Sequence, residues 1–352
     1  MEFRAEATSN PVVEIDLRPR SAWLANRSTG SYSFPAVEMC QRANELPAKD
    51  AARLLCIVTS DAIVEQWRCI SSAPDGESER FDGKEAELRC LLFLRSGKWS
   101  IHDVVSFDSY RDVAPSNQME SGADVGSAAV WPSRRCWSPS PFLEAYIDHI
   151  EHSIGGPGVA FDVGCGSGRD IAFLAARGWH VFGIDNRDKL LQQAAMFTER
   201  YASGSLVRSG VVAGGCHPMD MTLKSSLPLR PSSVDLLLIV RFIHRPLFHA
   251  THEPLVNVIR NGGFVLYSHF VDGVQHSPIG HPKHPDAYLQ HGELRRVFCD
   301  GSLKLSATNT PAKAPTDVKR KVEVVVDEEA LLADGRPVAN FLAKVVHEHP
   351  SA

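Results

Sequence analysis

Residues 159–185 read VAFDVGCGSGRDIAFLAARGWHVFGID, and this stretch decides the fold of the chain. Val159–Phe161 is a short apolar run suited to a buried strand, closed by Asp162. The next residues carry Gly164, Gly166 and Gly168 at alternate positions. Ile171 then pairs with Leu174 and Ala175 at helical spacing, and Gly178 stops the helix. His180–Ile184 reads as a second strand with Asp185 at its tip. Strand, glycine turn, helix and strand make a βαβ unit, the building block of a doubly wound parallel sheet.

That order has chemical consequences. Glycines let the backbone turn tightly and approach a ligand with no Cβ in the way. A carboxylate at the second strand's tip is placed to accept both hydroxyls of a ribose. A dinucleotide needs G-x-G-x-x-G, with its pyrophosphate on the helix N-terminus. Here Arg169 stands where the third glycine would be, and Asp162, just before the turn, would repel a pyrophosphate. The same carboxylate suits a cationic amino-acid group, so the cofactor that fits is S-adenosylmethionine.

D-V-G-C-G-S-G at 162–168, followed by Asp185, resembles the cofactor loop of class I S-adenosylmethionine-dependent methyltransferases. The resemblance covers roughly 134–349. It implies a Rossmann-like sheet of seven strands with helices on both faces. Its cofactor-binding residues would be Asp162, Gly164, Gly166, Gly168, Asp185, Asn186, Asp220, Met221 and Val240. Of these, Asp220 would accept from the adenine amine and Met221 would lie against the ring. The segment CWSPSPFL at 136–143 resembles the family's helix ahead of the glycine loop, which sets Trp137 near the cofactor, with Ser140 as N-cap and Pro141 at the first helical position.

VRFIHRPLF at 240–248, NGGFVLYSHF at 261–270, PDAYLQHGELRRVF at 285–298 and DGRPVANFLAKVV at 334–346 resemble the tellurite-resistance-related subgroup. Base-modifying relatives carry an Asn- or Asp-Pro-Pro-aromatic loop after the fourth strand. This chain has Arg241, Phe242, Ile243 and His244 there, which argues against methylation of adenine or cytosine amines. Arg241 and Arg245 suggest a negatively charged acceptor, and His244 suits removal of its proton. These three are the expected catalytic residues, with an anionic small molecule or a thiol as acceptor. A scaffold that binds the cofactor without turnover, and a tRNA or protein methyltransferase, stay open as alternatives.

The chain has 352 residues, enough for two domains, with 43% hydrophobic and 22% charged residues. Residues 1–112 are expected to form the first domain, 113–133 a linker, and 134–352 the second. In the first, VVEIDLRPRSAW at 12–23, GSYSFP at 30–35 and RANELP at 42–47 resemble a rhodanese-like domain. Rhodaneses place a nucleophilic cysteine just after the strand that here ends at Thr59. This chain instead reads Ser60, Asp61, Ala62, Ile63, Val64, Glu65, and Cys56 lies inside the strand. The resemblance therefore implies a non-catalytic domain serving protein docking or stability.

Strands are expected at Val12–Leu17, Arg53–Thr59, Leu88–Leu94, Trp99–Val105, Leu206–Val212, Val234–Val240, Phe264–Ser268 and Val322–Val326. Helices are expected at Val37–Leu46, Ala62–Ile70, Leu190–Tyr201 and His249–Arg260, the last stopped by Asn261, Gly262 and Gly263. Ser302–Arg320 reads as a low-complexity loop. The eight cysteines include no C-x-x-C pair, which argues against zinc knuckles and redox pairs. His269, His276, His281, His284 and His291 crowd one loop without the spacing of a closed metal site. The net charge of −5 leaves no footprint for nucleic acid, and no apolar run of about 18 residues exists to span a membrane. The N-terminal segment lacks a signal-peptide core, so a cytoplasmic protein is expected.

Overall fold

The structure is a computed structural model that describes residues 12–28, 31–47, 54–71, 85–107, 119–121, 135–201, 216–218, 229–245, 253–300 and 319–348. The chain divides into two compact units, Met1–Ser138 and Pro139–Ala352. The sequence-read limit of the second domain was residue 134. Residues 135–138 pack instead with the first unit, where the Cys136 thiol lies 3.0 Å from the Glu45 carbonyl.

The first unit contains β1 (Val12–Asp16), α1 (Arg20–Ala25), β2 (Asn26–Ser28), β3 (Tyr32–Ser33), α2 (Met39–Arg42), β4 (Leu54–Thr59), α3 (Asp61–Ser71), α4 (Ala86–Ser96), β5 (Ile101–Ser106) and β6 (Met119–Ser121). Four parallel strands lie in the order β3-β1-β4-β5. Ile15, Leu55 and Ile57 from the strands meet Ile63, Ile70, Leu91 and Leu94 from the helices in one core.

Three expectations need correction here. Leu88–Leu94 is not a strand but the middle of α4. Leu88, Leu91 and Leu94 recur every third residue and are all buried, which is a helix face; a strand would bury alternate residues. The helix expected over Val37–Leu46 is a single turn, Met39–Arg42, tightened into a 3-10 turn at Ala43–Glu45. Inside the expected linker, Met119–Ser121 forms a strand, antiparallel to β2.

The second unit contains α5 (Pro141–Ile154), β7 (Val159–Val163), α6 (Arg169–Ala176), β8 (His180–Asp185), α7 (Asp188–Tyr201), β9 (Cys216–Pro218), β10 (Val234–Val240), α8 (Glu253–Val256), β11 (Ile259–Phe270), α9 (Glu293–Arg295), β12 (Lys319–Leu331) and β13 (Pro337–Glu348). The sheet has seven strands in the order β12-β13-β11-β10-β7-β8-β9. β9, β8, β7, β10 and β11 are parallel, and β13 and β12 close the sheet as an antiparallel pair. The parallel part is what the βαβ reading implied, and the count of seven strands is what the resemblance over 134–349 implied.

β10 lies between β7 and β11, and both of its faces are buried. Leu236, Leu237 and Leu238 are fully buried, each contributing about 1.5–3 kcal/mol. Chain order reverses between β7 and β10, so their carboxyl ends open the crevice where open α/β sheets bind ligands.

Two further readings are corrected. β11 starts at Ile259, so strand runs through the helix stop expected at Asn261, Gly262 and Gly263; of the expected helix from His249, the described helical part is α8. Gly262 and Gly263 mark an irregularity in the β10–β11 register rather than a helix end. A Cβ at Gly263 would stand 2.8 Å from the Asp235 carbonyl oxygen. β12 is also longer than the strand expected at Val322–Val326, running Lys319–Leu331, and β13 runs Pro337–Glu348. The expected strand Leu206–Val212 and most of the low-complexity segment lie outside the described residues.

Candidate active site

The glycine turn is pinned to β8 by its own backbone. The Gly164 and Cys165 N–H groups both donate to the Ile184 carbonyl at 2.9 Å, and Gly168 N–H closes back on the Cys165 carbonyl at 3.0 Å. The three glycines serve different ends. A Cβ on Gly164 would lie 2.5 Å from the Phe242 ring, and one on Gly168 would lie 2.6 Å from the Ala194 Cβ on α7. These two positions are glycine because neighbours pack on them. At Gly166, whose φ is +56°, a Cβ would meet nothing within 4 Å among the described residues. The open ground over Gly166 is the cradle a ligand would occupy.

Asp185, at the end of β8, turns its carboxylate onto this turn. Its Oδ2 accepts the Gly166 N–H at 3.0 Å, and its Oδ1 accepts the Arg187 N–H at 3.0 Å and the Arg187 Nε–H at 3.2 Å. The side chain is almost wholly buried, while Asn186 beside it is exposed. Asp162 is buried on β7, in register with Gly183 on one side and Leu238 on the other.

The helix ahead of the turn is tied to the one behind it. Ser140 makes no side-chain cap on α5, contrary to the capping expectation; its N–H donates instead to Asp170 Oδ1 at 2.6 Å, in the first turn of α6. Burial pushes the Asp170 carboxyl up, opposed by the Ser140 N–H and by the charges of Arg241 and Arg169. Trp137 is buried within the first unit, its ring 5.1 Å from the Arg135 guanidinium carbon.

After β10 the chain leaves the sheet through Val240 and Arg241. Arg241 takes a left-handed φ of +53° and donates its N–H to the Ser268 carbonyl at 2.8 Å. This tight exit brings Phe242 over Gly164, where its carbonyl accepts the Tyr267 hydroxyl at 2.7 Å. The Arg241 side chain is exposed and His244 is buried. The Arg245 guanidinium binds the Glu293 carboxylate and donates to the Tyr288 carbonyl at 2.7 Å. A structural carboxylate thus already holds one of the two cations expected on the acceptor side.

His269, beyond the carboxyl end of β10 and on β11, was expected only as one of a histidine-rich loop. It is 3% exposed, and its Nε2–H donates to the Ala287 carbonyl at 3.1 Å, which leaves Nδ1 buried with no partner among the described residues. Burial, with Arg245 and Arg241 adding repulsion, lowers its pKa to about 4. His284 pairs with Asp286 and His291 with Glu329, and among the described residues no group of three or more His, Cys, Asp or Glu side chains is arranged to hold a metal.

The structure therefore brings Asp162, Gly164, Gly166, Gly168, Asp185 and Val240 together at the carboxyl ends of β7, β8 and β10. Asp220 and Met221 lie outside the described residues. Sequence reasoning missed Arg187, Asp170, Phe242 and His269. Asp170 and Arg187 flank the turn and the acid within two residues, so proximity alone was the available signal.

Residues 160–263 match the family model described as a methyltransferase domain. That match lies within the second unit, and S-adenosylmethionine is the cofactor it implies. The residues here fit it: the turn leaves open ground over Gly166, and a buried carboxylate stands beside it. The whole chain is 23% identical over 366 residues to the uncharacterised protein UNK4.09 of Schizosaccharomyces pombe, covering 94% of this chain and 93% of that protein. Similar solved structures include a SAM-dependent methyltransferase from Aquifex aeolicus, at 15% identity and a TM-score of 0.35, covering 59% of this chain and 95% of that one. Another is magnesium protoporphyrin IX methyltransferase from Synechocystis PCC 6803 with bound SAH, at 14% identity and 0.37, covering 57% and 82%. No described helix is long and apolar enough to cross a membrane.

Proposed function

We propose that this chain transfers a methyl group from S-adenosylmethionine to a small acceptor that carries negative charge or a thiol. The observation that carries the reading is the Gly166–Asp185 pair: open backbone at the turn with a buried carboxylate beside it. The cofactor, when bound, supplies an electrophilic methyl on a sulfonium. Gly166 offers the close backbone approach, Asp185 accepts ribose hydroxyls, and Asp162 favours the cationic amino-acid end. Arg241 leaves β10 exposed at the same end of the sheet, suited to attract an anionic acceptor. His244 is the group assigned to take the acceptor's proton, and Arg245 to position it. Asp220 and Met221 are assigned to the adenine.

In this reading the chain belongs with the tellurite-resistance-related methyltransferases, acts in the cytoplasm, and uses a non-catalytic rhodanese-like first unit for protein docking. Two features support the lack of sulfur transfer. Burial, with Glu14 and Asp103 nearby, raises the Cys56 thiol to about 11, so it is not a thiolate at neutral pH. After β4, the Ser60 N–H is taken by Glu87 at 3.3 Å, and the Thr59 hydroxyl bonds the same carboxylate. An anion there would meet a negative charge.

The test is calorimetric. The full chain should bind S-adenosylmethionine, and Asp185→Ala should weaken binding by roughly 2–3 kcal/mol through loss of charge-assisted hydrogen bonds. Unchanged affinity would remove Asp185 from the site.

A further inference from the structure

The carboxylate of Asp185 is more crowded than its assigned role allows. A carboxylate offers about four lone-pair sites, two on each oxygen. Oδ1 accepts two hydrogens, from Arg187 N and Arg187 Nε, and Oδ2 accepts one, from Gly166 N. One site remains, on Oδ2. A ribose presents two neighbouring hydroxyls, and both cannot be accepted while the Arg187 side chain stays in place.

The three donors differ in how readily they can leave. The Gly166 N–H belongs to a turn fixed by backbone bonds to β8. The Arg187 N–H is equally fixed, because the Arg187 carbonyl starts α7 by accepting from Leu190 at 2.9 Å and Leu191 at 3.2 Å. The guanidinium is held by neither constraint. It is 67% exposed, and among the described residues its ion pair is with Asp185. Its charge stands in solvent, where water can replace the contact, so this is the bond that yields.

We infer that the Arg187 guanidinium competes with the cofactor's ribose for Asp185: it covers Oδ1 in the free protein, leaves when a nucleoside with both hydroxyls binds, and returns as product departs. Arg187 is thereby a determinant of cofactor affinity and product release. The inference rests on the cofactor reading above and adds a residue to it.

The experiment is calorimetry on the full chain with S-adenosylhomocysteine, whose sulfur is uncharged and exerts no direct repulsion on arginine. Arg187→Gln and Arg187→Ala are expected to bind about two- to fivefold tighter than wild type at low salt. That gap should narrow at high salt, where the exposed pair is already screened. The 2′-deoxy analogue of S-adenosylhomocysteine presents one hydroxyl, which the free site on Oδ2 can take, so the variants should gain little on it. Equal or weaker binding by both variants, or an equal gain on the deoxy analogue, would overturn the competition while leaving the cofactor reading intact. Absence of binding by wild type, with none restored in either variant, would overturn both.

Discussion

Replacing Gly166 and Gly168 with alanine, one at a time, separates ligand binding from folding within a single turn. Both residues have a left-handed φ, +56° and +80°, where an alanine costs about 1–2 kcal/mol. At Gly166 that is the expected penalty to the fold, because the added methyl meets nothing within 4 Å among the described residues. At Gly168 the methyl would stand 2.6 Å from the Ala194 Cβ and 2.8 Å from its Cα. Backbone atoms cannot give way cheaply, so overpacking adds about 1–3 kcal/mol. Gly168→Ala should therefore lose about 2–5 kcal/mol of stability, against about 1–2 kcal/mol for Gly166→Ala. For binding the order reverses in cause: the Gly166 methyl projects into the ligand's ground, and affinity for S-adenosylhomocysteine should fall at least about tenfold, or 1.4 kcal/mol. Urea unfolding and calorimetric titration read the two effects on the same samples. If Gly166→Ala keeps wild-type affinity, or is destabilised as much as Gly168→Ala, the assignment of the cradle to Gly166 is wrong.

Further predictions concern the acceptor side and the first unit. His269 has a folded pKa of about 4 against an unfolded value of about 6.5, so the unfolded chain binds more protons between these limits. Its contribution is fully present above about pH 6.5 and is lost as pH falls toward 4. Unfolding at pH 7.5 and pH 5 should differ by about 2 kcal/mol from this residue, and a His269→Phe variant should show a correspondingly shallower slope. Once an acceptor is in hand, His244→Ala should lower turnover by about 10²–10⁴-fold with cofactor affinity within about twofold; wild-type turnover across pH 6–8 would end its role as base. The full chain should release no thiocyanate from thiosulfate and cyanide, and a signal lost on Cys56→Ser would reverse the reading of the first unit.

Local pattern determined the centre of this protein. From β7 through α6 to β8, apolar runs, glycines and a terminal acid follow one another within 27 residues, and β7 pairs directly with β8. β10 was legible for a related reason, since seven residues with one acid among apolar side chains suit a strand covered on both faces. Where two periodicities overlapped, the sequence misled. LRCLLFL at 88–94 satisfies strand and helix alike, and it is a helix because its every-third leucines meet the sheet of the first unit. Gly262 and Gly263 read as a helix stop, but Gly263 is constrained by the Asp235 carbonyl on the neighbouring strand β10, which is distant in sequence. The site shows the same division. Gly166 and Asp185 could be named from spacing, because a turn and a strand tip are local features. Which glycine faces open ground, how many lone pairs of Asp185 are taken, and that His269 is buried with one nitrogen unpartnered among the described residues were decided by packing. These properties depend on atoms brought together from α7, β11 and the loop after β10, and no window of sequence contains them.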